Sequence, residues 1–66
     1  MNKTFWDDFF RWMENASIEE LRVAKNKAAE ELETASDPEI RSDLKRMIRY
    51  LEEEILTRLF FQRKEQ

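Results

Sequence analysis

The chain contains no glycine, and this absence constrains its fold more than any other feature of the sequence. Glycine reaches positive φ without steric cost, and the tight turns of β-hairpins depend on that freedom. Proline, which interrupts helices, occurs only once, as Pro38. We therefore predict an all-α fold.

The length of 66 residues allows a single small helical domain over residues 1–66. A chain of this size buries only about 60% of the surface that its unfolded state exposes. Because it has no cysteine and no histidine, it lacks disulfides, thiolate metal ligands and the commonest general base. We expect a protein that is not an enzyme, with no metal and no cofactor, whose stability depends on good helix packing, self-association or a partner.

Two capping signals divide the chain. Ser17 is followed three residues later by Glu20, the spacing of a capping box, which predicts a helix start. At the second signal either Ser36 or Asp37 can cap a helix that has Pro38 at its first position. The signals predict an antiparallel helical hairpin, with helices at about 18–35 and 38–63.

A short aromatic helix is predicted at about 4–14, with Thr4 as its cap. Its apolar side is wide, and its opposite side is polar and rich in acidic residues. Seven of the eight aromatic residues lie at the two ends of the chain, and only Tyr50 lies between. The seven are Phe5, Trp6, Phe9, Phe10, Trp12, Phe60 and Phe61.

Helix lengths predict how the helices pack. The third helix would be ~39 Å long and the second ~27 Å, so the third should extend past the second after Ile55. We expect the first helix to cover this overhang and to bring the two aromatic clusters together. The second helix offers mainly alanine, so the apolar seam of the third should stay partly wet until a second copy closes a bundle. That seam consists of Leu44, Met47, Leu51 and Ile55.

The aromatic ends are the candidate partner-binding surface, because aromatic side chains dominate the energetics of protein interfaces. The leading hypothesis is a non-enzymatic interaction protein that acts as an oligomeric adaptor or inhibits a partner by covering its surface. Its partners would be itself, as a homodimer or higher even oligomer, and another protein. The candidate contact residues are Trp6, Phe9, Phe10, Trp12, Phe60 and Phe61.

A basic flank on the third helix supports an alternative from another class. In this alternative an oligomer sequesters a small anionic ligand such as a nucleotide, with cations on the phosphate and an aromatic ring for stacking. The candidate ligand-binding residues are Arg41, Lys45, Arg49 and Tyr50. Glu54 and Arg58, one turn apart, are predicted to form a surface ion pair.

The charge balance disfavours two kinds of partner. With 15 acidic and 12 basic residues the net charge is −3, which opposes attraction to nucleic acid. The acid-rich polar side of the first helix is unlike that of a membrane-surface anchor, which carries lysine or arginine. We expect a cytoplasmic protein.

The sequence resembles two kinds of small protein. Residues 17–56, with no glycine, paired capping boxes and the turn Ser36-Asp37-Pro38-Glu39, look like idealised, computationally designed helical mini-proteins. The unequal helices and the Phe-Phe pairs look more like a short open reading frame of a phage or mobile element. That second resemblance implies a phage accessory protein that inhibits or redirects a host protein by surface contact.

Overall fold

A computed structural model of the chain describes residues 1–64, with side chains described for residues 1–61. It contains three helices, α1 (Lys3–Asn15), α2 (Ile18–Thr34) and α3 (Pro38–Lys64). Within the described residues there is no strand, and no backbone φ is positive. The all-α prediction and the helical hairpin are confirmed, and every predicted helix end lies within one residue of the observed one.

Local capping explains where α2 and α3 begin. The Ser17 hydroxyl accepts from the Glu20 N–H at 3.1 Å, and the Glu20 carboxylate accepts from the Ser17 N–H at 2.8 Å. This is the predicted capping box. For α3 the cap is Asp37, whose carboxylate accepts from the Glu39 N–H at 2.8 Å.

The predicted cap of α1 is wrong. Asn2 is the cap, and its side-chain oxygen accepts from the Phe5 N–H at 2.9 Å. Thr4 lies inside the first turn. Asparagine is the better N-cap residue, so the helix begins one residue earlier than predicted and leaves Thr4 in the interior of the turn.

The hairpin of α2 and α3 forms the centre of the core. Leu21 of α2 and Leu51 of α3 are completely buried, and each such side chain contributes roughly 1.5–3 kcal/mol through burial. Leu44 and Ile55 are also buried, while Met47 is half-buried against the core. The expectation that this seam stays wet in a single chain is therefore wrong for Leu44, Leu51 and Ile55, and holds for Met47 alone. Leu51 and Ile55 share their cluster with Trp6, Phe9 and Met13 of α1.

Helix α1 lies beside α3 and runs parallel to it. The amino group of Met1 is 2.5 Å from a carboxylate oxygen of Asp43, and at the other end of α1 the Ala16 carbonyl accepts from Arg58. Between these ends the Trp6 ring lies 5.8 Å from the Tyr50 ring. Helix α1 therefore covers the middle of α3, and the prediction that it covers the overhang is wrong.

The last turns of α3 project beyond the other two helices. The long axis of the molecule is 44 Å, and its radius of gyration is 12.9 Å, against about 11 Å for a compact chain of this length. Phe60, in the projecting part, is 66% exposed. The two terminal aromatic clusters thus lie in different environments. The cluster on α1 contributes side chains to the core, and the cluster at the end of α3 is exposed.

Candidate interaction surface

The C-terminus of α1 is held by Arg58 of α3. Helix ends leave backbone carbonyls without partners, and α1 has no basic residue in its last turn. The Arg58 guanidinium donates to the Ala16 carbonyl and, at 2.6 Å, to the Met13 carbonyl. Its Nε donates to the Glu54 carboxylate at 3.0 Å. The predicted Glu54–Arg58 pair therefore exists, but it belongs to a half-buried connection between α3 and α1.

The C-terminus of α2 is held in the same way by Arg41. One guanidinium nitrogen donates to the Leu32 carbonyl at 2.8 Å and to the Ala35 carbonyl at 2.9 Å. The C-cap residue is an alanine with extended backbone dihedral angles in both helices, Ala16 in α1 and Ala35 in α2. In a chain without glycine, arginines from α3 thus perform the task that a left-handed C-terminal residue usually performs.

These contacts separate the residues of the predicted anion site. Arg41 is half-buried and faces the end of α2, and the Tyr50 ring packs on Phe10 with 4.9 Å between centroids. Lys45 and Arg49 are exposed on α3. The structure therefore shows no shared site for the four residues of this alternative.

Trp6 is the centre of an aromatic cluster between α1 and α3. The guanidinium carbon of Arg46 lies 4.6 Å from the Trp6 ring centroid, and its Nε donates to the Tyr50 hydroxyl at 3.3 Å. Trp6 and Phe9 are only 7% and 9% exposed. Both side chains, which the sequence places among the partner-binding candidates, therefore lie in the core.

Two other aromatic side chains of α1 stay accessible. Phe10 and Trp12 are exposed beside the core. Trp12 borders a shallow groove between α1 and α2 that also includes Val23 and Ala24. Glu19 and Glu20 also line this groove, and the Glu20 carboxylate accepts from the Ser17 N–H.

The largest group of exposed apolar side chains lies at the end of α3. Leu56 and Phe60 are one turn apart and therefore lie on the same side of the helix. Leu59 and Phe61 widen this surface on either side. We call the four residues the α3 tip, with exposures of 54% for Leu56, 38% for Leu59, 66% for Phe60 and 60% for Phe61.

Sequence reasoning included Phe60 and Phe61 in the candidate surface and missed Leu56 and Leu59. The signal for the leucines was present, because apolar residues cover nearly all sides of the helix after Ile55. The sequence predicts that α1 encloses this part of α3. The same pattern is equally typical of a surface that another molecule covers.

Among the described residues, neither a cluster of metal-ligating side chains nor a membrane span is present. No group of three carboxylates among them is arranged to hold a metal ion. None of the helices in the described part is long and apolar enough to cross a bilayer. No protein-family model, curated protein or solved structure matches the chain.

Proposed function

We propose that this protein is a non-enzymatic interaction module that acts by surface binding through the α3 tip. It serves as an oligomeric adaptor or as an inhibitor that covers a partner's surface. The observation that supports this proposal is the exposure of four large apolar side chains on a helix end that projects beyond the rest of the molecule. Contiguous apolar patches of this kind mark interaction sites on soluble proteins.

The composition strengthens the argument. Charged residues make up 41% of the chain, so polar side chains are plentiful for surfaces that only face water. Four of the nine large apolar side chains that are exposed among the described residues nevertheless lie together at one end of α3. A cluster that includes two adjacent phenylalanines supplies the aromatic anchors that dominate binding energy at interfaces.

The groove at Trp12 and Val23 is a second apolar surface, and its presence supports an adaptor over an inhibitor. An inhibitor needs one contact surface, whereas an adaptor needs two that can be occupied together. The groove at Trp12 and Val23 lies between α1 and α2, whereas the tip belongs to α3. The lining of the groove is apolar apart from Glu19 and Glu20, which suits an apolar anchor of a partner segment.

Site-specific photocrosslinking tests the proposed function. A photoreactive phenylalanine analogue replaces Phe60 in one variant and Glu30, an exposed residue of α2, in a control. Irradiation in cells should give discrete covalent adducts from position 60 and none from position 30. Equal labelling from both positions, or no adduct from position 60, would refute the proposal.

A further inference from the structure

We propose that the α3 tip is occupied by the tip of a second copy of this chain, in antiparallel contact about a two-fold axis level with residues 57–60. This inference rests on the proposed function and names the partner of the same surface. Two-fold contacts are self-complementary, so a continuous apolar patch on a helix can meet its own copy without a second surface. Leu56 of one copy then lies opposite Phe61 of the other.

The size of the patch fits a weak dimer. At the exposures measured, and with about 200 Å² for each full side chain, the tip offers roughly 440 Å² of apolar surface. Leu59 and Phe61 lie on opposite sides of the helix, so two copies bury at most roughly 900 Å², below the 1,200 Å² typical of stable interfaces. We therefore expect a dimer that dissociates in the micromolar range.

The shape of the molecule selects the antiparallel direction. The C-terminus of α1 lies beside Arg58, so among the described residues the part of α3 after Arg58 projects beyond α1. In an antiparallel pair the two bodies lie at opposite ends, and the tips overlap between them. A parallel pair would place the bodies side by side.

The distribution of charge on α3 also favours the antiparallel direction over the parallel one. Glu52 lies 4.0 Å from Lys25, and Glu54 is paired with Arg58, but no ion pair is found for Glu53 among the described residues. A parallel pair would bring the Glu53 carboxylates of both copies close together. In the antiparallel pair they are ~16 Å apart along the helix axis, beyond the screening length of about 8 Å at physiological salt.

A longer antiparallel overlap is the main competing arrangement. If the two-fold axis lay level with residue 51, Arg49 of one copy would face Glu53 of the other. Leu56 and Phe60 would then lie against polar residues of the partner. This arrangement depends on exposed charge pairs, which salt weakens, whereas the tip contact depends on apolar burial, which salt does not weaken.

Light scattering and sedimentation of the intact chain test the inference with a matched pair of variants, Phe60→Gln and Val23→Gln. Both side chains are more than 60% exposed in the single chain, so neither substitution should change the helical circular dichroism. The wild-type mass should rise from 8.1 kDa towards twice that value between about 1 µM and 1 mM. Phe60→Gln should raise the dissociation constant at least tenfold, because each dimer carries the substitution twice, and Val23→Gln should leave it unchanged.

Three results would overturn the inference. They are a wild-type mass that stays at 8.1 kDa, a dimer that Val23→Gln rather than Phe60→Gln dissociates, and a dimer whose affinity falls tenfold in about 0.5 M salt. The proposed function survives a constant monomer mass if position 60 still photocrosslinks to a different protein. The two proposals can therefore fail separately.

Cross-linking through an introduced thiol tests the direction. The chain has no cysteine, so Thr57→Cys places one thiol beside the two-fold axis and close to its own copy. Glu53→Cys is the matched variant, because its two thiols are ~16 Å apart along the helix axis in the antiparallel pair and adjacent in a parallel pair. A short bis-maleimide should convert Thr57→Cys to a covalent dimer and leave Glu53→Cys monomeric. Equal cross-linking of both variants would overturn the antiparallel direction.

Discussion

At the scale of single residues, Arg58 connects three parts of the chain. The sequence predicts its pair with Glu54, since the two residues are one turn apart. It does not predict the contacts with the carbonyls of Met13 and Ala16, which are 45 and 42 residues away. Every residue carries a backbone carbonyl, so the pattern of residue types does not indicate which carbonyls accept from Arg58.

We expect Arg58→Met to lower the free energy of unfolding by about 3 kcal/mol, because charge-assisted hydrogen bonds to buried carbonyls are lost while the aliphatic stem is kept. Urea denaturation followed by tryptophan fluorescence measures the change. Arg58→Lys should recover little of it, since a single ammonium group cannot reproduce the guanidinium fork. Arg11→Met is the control, because Arg11 forms only an exposed pair with Asp8 at 3.4 Å. A loss equal to that of Arg58→Met would contradict the capping role.

At the scale of helices, the boundaries were predictable and the docking of α1 was not. Boundaries depend on side chains two or three residues from the groups that they cap, and such spacings can be seen in the sequence. The position of α1 depends on distant pairs, Trp6 with Tyr50 and Ala16 with Arg58. The helix lengths are compatible with an α1 that covers the overhang, and they contain no information about these two contacts.

The cap of α1 gives a prediction at this scale. Asn2→Ala should destabilise the protein by about 1 kcal/mol because the Phe5 N–H loses its acceptor. For a domain of this size that loss corresponds to a melting temperature lower by about 4–8 °C, which circular dichroism measures. Thr4→Ala should change stability by less than about 0.5 kcal/mol. A larger loss of stability in Thr4→Ala than in Asn2→Ala would indicate that Thr4 is the cap.

At the scale of the whole molecule, the core is complete within one chain while the end of α3 remains apolar and exposed. The sequence predicts self-association through a wet seam at Leu44, Met47, Leu51 and Ile55. In the single chain only Met47 of these four stays half-exposed, so the seam offers little surface to a second copy. The α3 tip offers more, and the sequence identifies it as apolar without showing that it is exposed.

The two aromatic clusters should therefore respond differently to truncation. Phe9→Ala should lower the free energy of unfolding by about 3 kcal/mol or more, as core truncations of phenylalanine do. Phe60→Ala should change it by less than about 0.5 kcal/mol in urea titrations at about 1 µM, where a weak dimer is dissociated. The double variant should equal the sum. A coupling above about 0.5 kcal/mol would mean that the two rings touch.

The capping of α1 and α2 by arginines of α3 has a consequence for synthesis on the ribosome. Translation proceeds from the N-terminus at about 5–20 residues per second, so α1 and α2 leave the exit tunnel before the guanidinium groups that close them. A nascent chain that ends before Arg41 has neither C-terminal closure, and it also lacks the α3 side of the core. Its helices are short enough to be marginal by themselves. Folding must wait until α3 has emerged, so a prematurely terminated product is a substrate for proteases rather than a partly working protein.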